Sequence, residues 1–451
     1  MKKRFSFPVI WFPIIFFGLV VITGAIALHQ PQCSQEGKQL PLIDALFTAT
    51  SATCVTGLAV VDTGTYFNRL GHSVILILIQ LGGLGIMTFS ALAFYLWRHK
   101  VSMTDRIIIG QGLLHDKSFH LGHFLVQIML WTFSIEIIGA ILLYLRSPRF
   151  FHPFSALFHS VSAFCNAGFA LFNDSLMAWR GDFMVNIVIM ALIILGGIGF
   201  SVLVELGSWS GKRLRKQSVR PITWYCRVVI KTSLALIVIG GLCIYLVEYI
   251  GKVQQMPLTD AALSSFFQSV TCRTAGFNTL DIGRMTNVSL LFMLILMFIG
   301  GAPGSCAGGI KVTTFRVLTA FLWAQIFRRK QAVVQGYGIE EETMNKAFTL
   351  LIFAVAIIFC ATILLNLTEG GGASHQSIRG LFLDALFEAT SAFGTVGLTT
   401  GLTPKLSIAG KYIVIMLMFI GRLGPLIFLD AMHIFYRQRF YTHPEEKMMI
   451  G

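Results

Sequence analysis

Four glycines each stand ten residues after a phenylalanine: Phe47 and Gly57, Phe158 and Gly168, Phe266 and Gly276, Phe387 and Gly397. They fall in four segments that align without gaps: LFTATSATCVTGL (46–58), LFHSVSAFCNAGF (157–169), SFFQSVTCRTAGF (265–277) and LFEATSAFGTVGL (386–398). The glycines are 111, 108 and 121 residues apart, a repetition too regular for chance. The side chains offer no catalytic set. The histidines show no ligand spacing, and the eight cysteines contain no CxxC pair, so neither a zinc site nor a disulfide framework is indicated. What these segments offer is backbone. Loop carbonyls replace a cation's hydration shell in selectivity filters, and glycine permits backbone conformations closed to other residues. The chemistry they point to is cation coordination by main-chain oxygen.

Each segment lies between two long apolar runs. The runs before are roughly 9–28, 123–145, 228–250 and 347–367, and those after are roughly 73–97, 183–206, 288–327 and 411–435. A crossing helix needs about 20 apolar residues, so each copy reads as spanning helix, short helix, glycine-containing loop, spanning helix. The expected fold is an all-α polytopic membrane protein with eight spanning helices. Its repeats cover 9–97, 123–206, 228–327 and 347–435, with no soluble domain. Irregular backbone is excluded from lipid and survives at that depth only inside protein or beside water. Four such loops therefore imply one ring about a pseudo-fourfold axis, with the negative ends of the short helices aimed inward, which favours a cation. Asp44, Ser155 and Asp384 stand thirteen residues before their glycines, where they are expected to cap the short helices. The third copy has Leu263 there and lacks the cap.

Composition agrees. The chain has 451 residues, of which 55% are hydrophobic and only 12% charged, against about 25% charged in soluble domains. The net charge of +14 does not mark a nucleic-acid face, because the basic residues sit in short loops between apolar runs. Lys2, Lys3 and Arg4 precede an apolar stretch long enough to span, read here as a first helix rather than a signal peptide. If successive ends of the runs alternate in side, one set of segments carries 21 Lys+Arg and the other 11. The positive-inside rule then places both termini in the cytoplasm and the short helices on the outer side. The stretch KRLRKQSVR (212–220) is an orientation signal beside anionic lipid, or a docking site for a partner.

A second pattern lies on the helices after the loops. Gly82-Gly83, Gly196-Gly197 and Gly300-Gly301 recur at a similar distance from their filter glycines, and the fourth copy has Gly421-Arg422 in this place. The third copy continues into GGAPGSCAGG: Gly300, Gly301, Ala302, Pro303, Gly304, Ser305, Cys306, Ala307, Gly308 and Gly309. Five glycines and a proline in ten residues cannot continue a helix. The break is expected near mid-membrane, where it lines the pathway and acts as a gate. Gly304 and Gly309 have P-loop spacing, but Ile310 stands where its lysine belongs and no strand precedes. Arg422 at this depth is costly, about 3 kcal/mol on insertion scales. It is expected to latch loop carbonyls and to oppose cation passage. Glu136 is read as a helix contact. Lys311 and Arg316 either tune ion exit or anchor their helix.

The fourfold segments, with RTAGF at Arg273–Phe277 and APGSCAGG at 302–309, resemble the Trk/Ktr/HKT superfamily of potassium transporters, most of all the membrane subunits of bacterial Ktr systems. The resemblance covers essentially the whole chain. It implies that the four loops form a K⁺ filter lined by Cys54, Val55, Thr56 and Gly57; Cys165, Asn166, Ala167 and Gly168; Arg273, Thr274, Ala275 and Gly276; and Gly394, Thr395, Val396 and Gly397. Glycine at all four marker positions implies potassium over sodium. The resemblance also implies a homodimer in the bacterial inner membrane, Na⁺-dependent uptake, and control by a cytosolic ring of nucleotide-binding RCK subunits (KtrA-type). ATP or ADP would bind only to that partner, and this chain would need no cofactor. The alternatives are a Trk-type proton-linked transporter and a secondary transporter of another cation.

Overall fold

The computed structural model describes residues 11–85, 121–217, 221–250, 256–374 and 376–424. The expectations for 1–8, 86–120, 218–220 and 425–451, including both termini and the far ends of the first and fourth repeats, lie outside the described residues.

Fourteen helices longer than a single turn run through the described residues. The first copy has α1 (Trp11–His29), α2 (Leu42–Thr53) and α3 (Arg69–Gly83). The second has α4 (Leu121–Arg146), α5 (Pro153–Phe164), α6 (Phe183–Gly197) and α7 (Phe200–Leu214). The third has α8 (Trp224–Tyr245), α9 (Leu258–Thr271), α10 (Asn287–Phe298) and α11 (Val312–Ile326). The fourth has α12 (Glu341–Gly370), α13 (Leu381–Gly394) and α14 (Ile408–Leu423). The all-α expectation omits one element. Val333–Val334 pairs antiparallel with Tyr337–Gly338 across a Gln335-Gly336 turn in which both residues are left-handed.

The short helices are buried by design of their sequence. Alanine, serine and threonine cover most of α2, so neighbours approach closely, and large anchors fill the gaps: Phe47, Phe158, Phe267 and Phe387 are all fully buried, as are Phe164 of α5 and Phe393 of α13. The third anchor is Phe267, not the aligned Phe266, which packs at the edge against Gly241. The helix α9 is thus one residue out of phase with the ungapped alignment.

The end of each first helix, or in copy one the turn that follows it, is tied to the start of the helix after the loop. Glu248 accepts from the N–H (2.9 Å) and hydroxyl (2.8 Å) of Thr286, the N-cap of α10. Glu369 accepts from the hydroxyl of Ser407, the N-cap of α14, at 2.7 Å. Arg146 pairs with Asp182, the N-cap of α6, at 2.8 Å. In the first copy Asn68, which caps α3, donates its amide to the Gln32 and Ser34 carbonyls at 2.7 and 3.0 Å. A carboxylate in copies three and four, an ion pair in copy two and an amide in copy one meet one need, fixing the residue that satisfies the free N–H groups of a helix start.

Two expectations are corrected. Asp44, Ser155 and Asp384 stand in the first turns of their helices but do not cap them; the caps are Pro41, His152 and Gly380. Asp44 instead binds Lys411 of α14 at 2.5 Å, joining copy four to copy one. The third copy does not lack an acid, because α9 begins earlier and carries Asp260 in its first turn. The run 183–206 is not one helix. It bends by 109° between α6 and α7, where Gly199 takes a φ of +92°. Gly85 and Gly424 occupy the same offset from their glycine pairs and are also left-handed, at +84° and +86°. Among the described residues, three helices are long and apolar enough to cross a membrane (Phe124–Arg146, Trp224–Tyr249 and Glu341–Gly370), with the bent pair as a fourth.

Candidate functional site

Three of the four short helices end in the same way. In copy one Val55 N–H bonds Ala52 O (3.1 Å) and Thr56 N–H bonds Ser51 O (2.8 Å). Copies two and four repeat this with Asn166, Ala167, Thr395 and Val396. These are the paired bonds of a Schellman helix end, which needs a left-handed residue just past the cap. Glycine usually fills that place. Here Val55, Asn166, Thr274 and Thr395 do, with φ of 49°, 57°, 71° and 50°. A branched residue at positive φ is strained, by about 1–3 kcal/mol, and such strain concentrates at functional sites. In copy three the Ala275 N–H bonds Thr271 O instead, the local result of the phase shift.

Two residues on, Gly57, Gly168, Gly276 and Gly397 are left-handed as well, at φ of 91°, 69°, 79° and 91°. They meet one another. A Cβ added to Gly57 would lie 2.5 Å from Ala167 O, one on Gly168 2.8 Å from Ala275 O, and one on Gly276 2.5 Å from Val396 O. One on Gly397 would strike Thr56 O. The order 57, 168, 276, 397 and back to 57 is a closed cycle. Each glycine therefore lies against the carbonyl that precedes the next glycine, and a side chain at any of the four would push that carbonyl.

Hydroxyls not singled out from the sequence fix these strands. Ser51 and Ser391 accept from the N–H of Gly57 and Gly397, both at 3.1 Å. Ser162 donates to Phe169 O at 2.8 Å, and Thr271 to Phe277 O at 2.6 Å. The signal was present: serine stands six residues before the glycine in three aligned segments. Arg273 brings only its backbone to the ring. Its buried guanidinium turns away to the Ser233 carbonyl (3.4 Å) and hydroxyl (3.1 Å) of α8.

The glycine pairs below allow close approach. A Cβ on Gly82, Gly196 or Gly421 would strike the carbonyl of Thr53, Phe164 or Phe393, at the ends of α2, α5 and α13. The third copy differs, since Gly300 abuts Gly308 of its own loop. That loop is pinned at both ends by Gly300 N–H to Ile310 O (2.8 Å) and Val312 N–H to Gly301 O (3.0 Å). It is also bound to the break in copy two: Ala302 N–H to Gly197 O (2.9 Å), Cys306 N–H to Gly196 O (3.1 Å) and Phe200 N–H to Gly304 O (2.9 Å). Ser305 closes it internally on Ala302 O at 2.6 Å, where Pro303 and Gly304 turn the chain.

Two cationic side chains reach this level. Arg422 donates to Cys306 O of the loop and to Gly82 O of copy one. Lys311 donates to Ala307 O at 2.7 Å and to Gly308 O at 3.4 Å. Gly309 is left-handed beside Gly394 of the fourth copy. Arg316 is half-buried and offers its carbonyl to Thr319. Glu136 is more than a helix contact. It is buried against Gln80 and Cys165, between the first and second copies. No group of three or more metal-ligating side chains occurs among the described residues.

A family model described as TrkH, cation transport protein, matches residues 15–440. The chain is 40% identical to the Ktr system potassium uptake protein B of Bacillus subtilis, over 92% of this chain and 90% of that protein. It is 35% identical to the potassium/sodium uptake protein NtpJ of Enterococcus hirae, over 100% and 98%. It is 36% identical to the Ktr system potassium uptake protein B of Vibrio alginolyticus, over 96% and 92%. The crystal structure of the potassium transporter TrkH from Vibrio parahaemolyticus superposes with a TM-score of 0.73 at 19% identity, covering 95% of this chain and 86% of that one. That likeness shows the fold, and the relatives are cation transporters, not enzymes.

Proposed function

The chain belongs to the TrkH family of cation transport proteins, and on that premise we propose that it is the potassium-translocating membrane subunit of a Ktr-type uptake system. The observation that carries this reading is the closed cycle of four left-handed glycines, each against the carbonyl before the next. K⁺ sheds water onto carbonyls of 54–57, 165–168, 273–276 and 394–397, at the negative ends of α2, α5, α9 and α13. It then crosses to the loop 300–309 and passes when this loop moves off the axis. Arg422 holds the closed loop and adds positive charge below the filter.

The pore is one per chain, built from the four repeats. Two chains form a homodimer in the bacterial inner membrane, both termini on the cytoplasmic side, with a cytosolic RCK ring supplying nucleotide control. Uptake is Na⁺-dependent, and potassium is preferred because all four marker residues are glycine. The test is uptake of K⁺ or Rb⁺ by a potassium-auxotrophic strain expressing this chain, with and without a KtrA-type subunit. Growth rescue with the pair and saturable K⁺ uptake support the reading. No uptake from a well-expressed pair refutes it.

A further inference from the structure

A buried carboxyl stands behind the second filter strand. Glu136 lies in the middle of α4, almost wholly buried. Its Oε2 accepts from Gln80 Nε2 of α3 at 3.3 Å, and its Oε1 faces the thiol of Cys165 at 3.8 Å. The Cys165 sulfur also lies 3.9 Å from Gln80 Oε1, so three side chains from three elements close on one another. The backbone of Glu136 takes part as well, its carbonyl accepting from Ser160 of the short helix α5 at 2.6 Å. Cys165 is the first residue of the second strand, one before the left-handed Asn166.

The position is costly. A carboxyl at membrane depth is unfavourable by several kcal/mol unless hydrogen-bonded. No lysine or arginine bonds it among the described residues, so it is not there as half of an ion pair. Nor is it needed to join α4 to α5, since the Ser160 bond uses the backbone and any residue at 136 would supply it. The side chain's own contacts run to the filter strand and to the helix of the neighbouring copy. Space around the thiol is tight: a Cβ on Gly83 of α3 would strike Cys165 Sγ. Glu136 and Gln80 line one side of the sulfur, and Cys306 of the loop 300–309 lies against it as well.

We propose that Glu136 is a specificity-determining positioning residue of the second filter strand. It holds the Cys165 side chain through the thiol and so sets the direction of the Cys165 and Asn166 carbonyls. Gln80 extends this hold to copy one, so the strand is braced between two repeats. The proposal rests on the filter reading above and adds to it a residue outside all four strands.

The test is a double-mutant cycle on membrane vesicles or cells matched for expression. Apparent K⁺ affinity, K⁺-over-Na⁺ preference and maximal rate are measured for Glu136→Ala, Cys165→Ala and the double variant. Glu136→Ala is expected to weaken K⁺ affinity and preference roughly two- to tenfold, the range of one lost hydrogen bond, with maximal rate largely kept. Glu136→Gln retains an acceptor and should recover part of the loss. In the Cys165→Ala background, Glu136→Ala should add little, because the two act through one contact. Unchanged affinity, a loss of maximal rate alone, or independent effects that multiply overturn the proposal. If Glu136→Ala does not reach the membrane, Glu136→Gln and Gln80→Leu carry the same comparison. Variants of the four ring glycines run in parallel separate the outcomes. If those alter preference and the Glu136 variants do not, this proposal fails and the filter reading stands; if neither set does, the filter reading itself fails.

Discussion

Arg422, at the end of α14, donates to the backbone carbonyl of Cys306, in the loop of another copy. Arginine has five donors and no acceptor, and an unwound loop has carbonyls without helical partners, so each satisfies the other. The pair also sets a positive charge below the ring. Removing it, by Arg422→Ala or by deleting part of 302–309, should raise maximal K⁺ flux and loosen control by a partner. Apparent affinity should change little, because the ring lies above. Arg422→Lys should restore only part of the control, since lysine lacks the planar fork that here reaches both Cys306 O and Gly82 O. Equal or lower flux in a well-expressed loop deletion would refute gating.

The ring predicts that Gly57→Ser weakens K⁺ preference. The added Cβ meets Ala167 O at 2.5 Å and occupies a left-handed position, so the strand or its neighbour must shift. Gly168, Gly276 and Gly397 variants should behave alike. Competition of Na⁺ against Rb⁺ uptake measures this, and an unchanged ratio in all four variants sinks the filter assignment.

The glycine pairs predict a stability effect of another origin. Gly196→Ala drives a methyl into Phe164 O, backbone that cannot rotate away. Overpacking of this kind costs about 1–3 kcal/mol. Gly211→Ala, inside α7 where nothing lies within 4 Å, is the control and should be neutral or slightly stabilising, alanine being the better helix former. The melting temperature of purified protein should fall for the first and not for the second.

Much of this arrangement was legible in the sequence because it is written in spacing. The fixed Phe–Gly interval located the four loops, and the Gly421-Arg422 departure marked the residue that reaches the third copy's loop. What escaped was phase and direction. An ungapped alignment cannot show that α9 is turned by one residue, since Phe266 and Phe267 are both phenylalanine and only packing chooses between them. The bend after Gly197 was hidden because Ile198 and Phe200 keep the run apolar, so hydropathy reads through a break that Gly199 makes in the backbone. Glu136 was visible as an acid in an apolar helix. Its partner, Cys165, is 29 residues away and faces it only after α4 and α5 pack.

The partner proposal predicts that affinity capture from native membranes recovers a soluble nucleotide-binding protein. Full ATP-responsive transport by this chain alone in liposomes counts against it.

Lys311 and Arg422 both bind carbonyls of one loop, and the last prediction concerns how they combine. Lys311 reaches back to Ala307 and Gly308 of its own copy, so it shapes the loop locally. Arg422 reaches across from the fourth copy and ties the loop to α3 as well. No acid bonds either charge among the described residues, so loop carbonyls are what hold both cations in place. If both hold the same closed state, removing one already releases part of what the other secures. Lys311→Met should then raise maximal flux less than Arg422→Ala, because the link between copies remains. The double variant should exceed Arg422→Ala by less than the Lys311→Met factor alone, a coupling of roughly 0.5–3 kcal/mol for groups sharing one network. Maximal Rb⁺ uptake in the four proteins, matched for membrane content, measures the cycle. Factors that simply multiply would show that the two residues act on separate steps, leaving Arg422 as the latch and Lys311 as an anchor of α11.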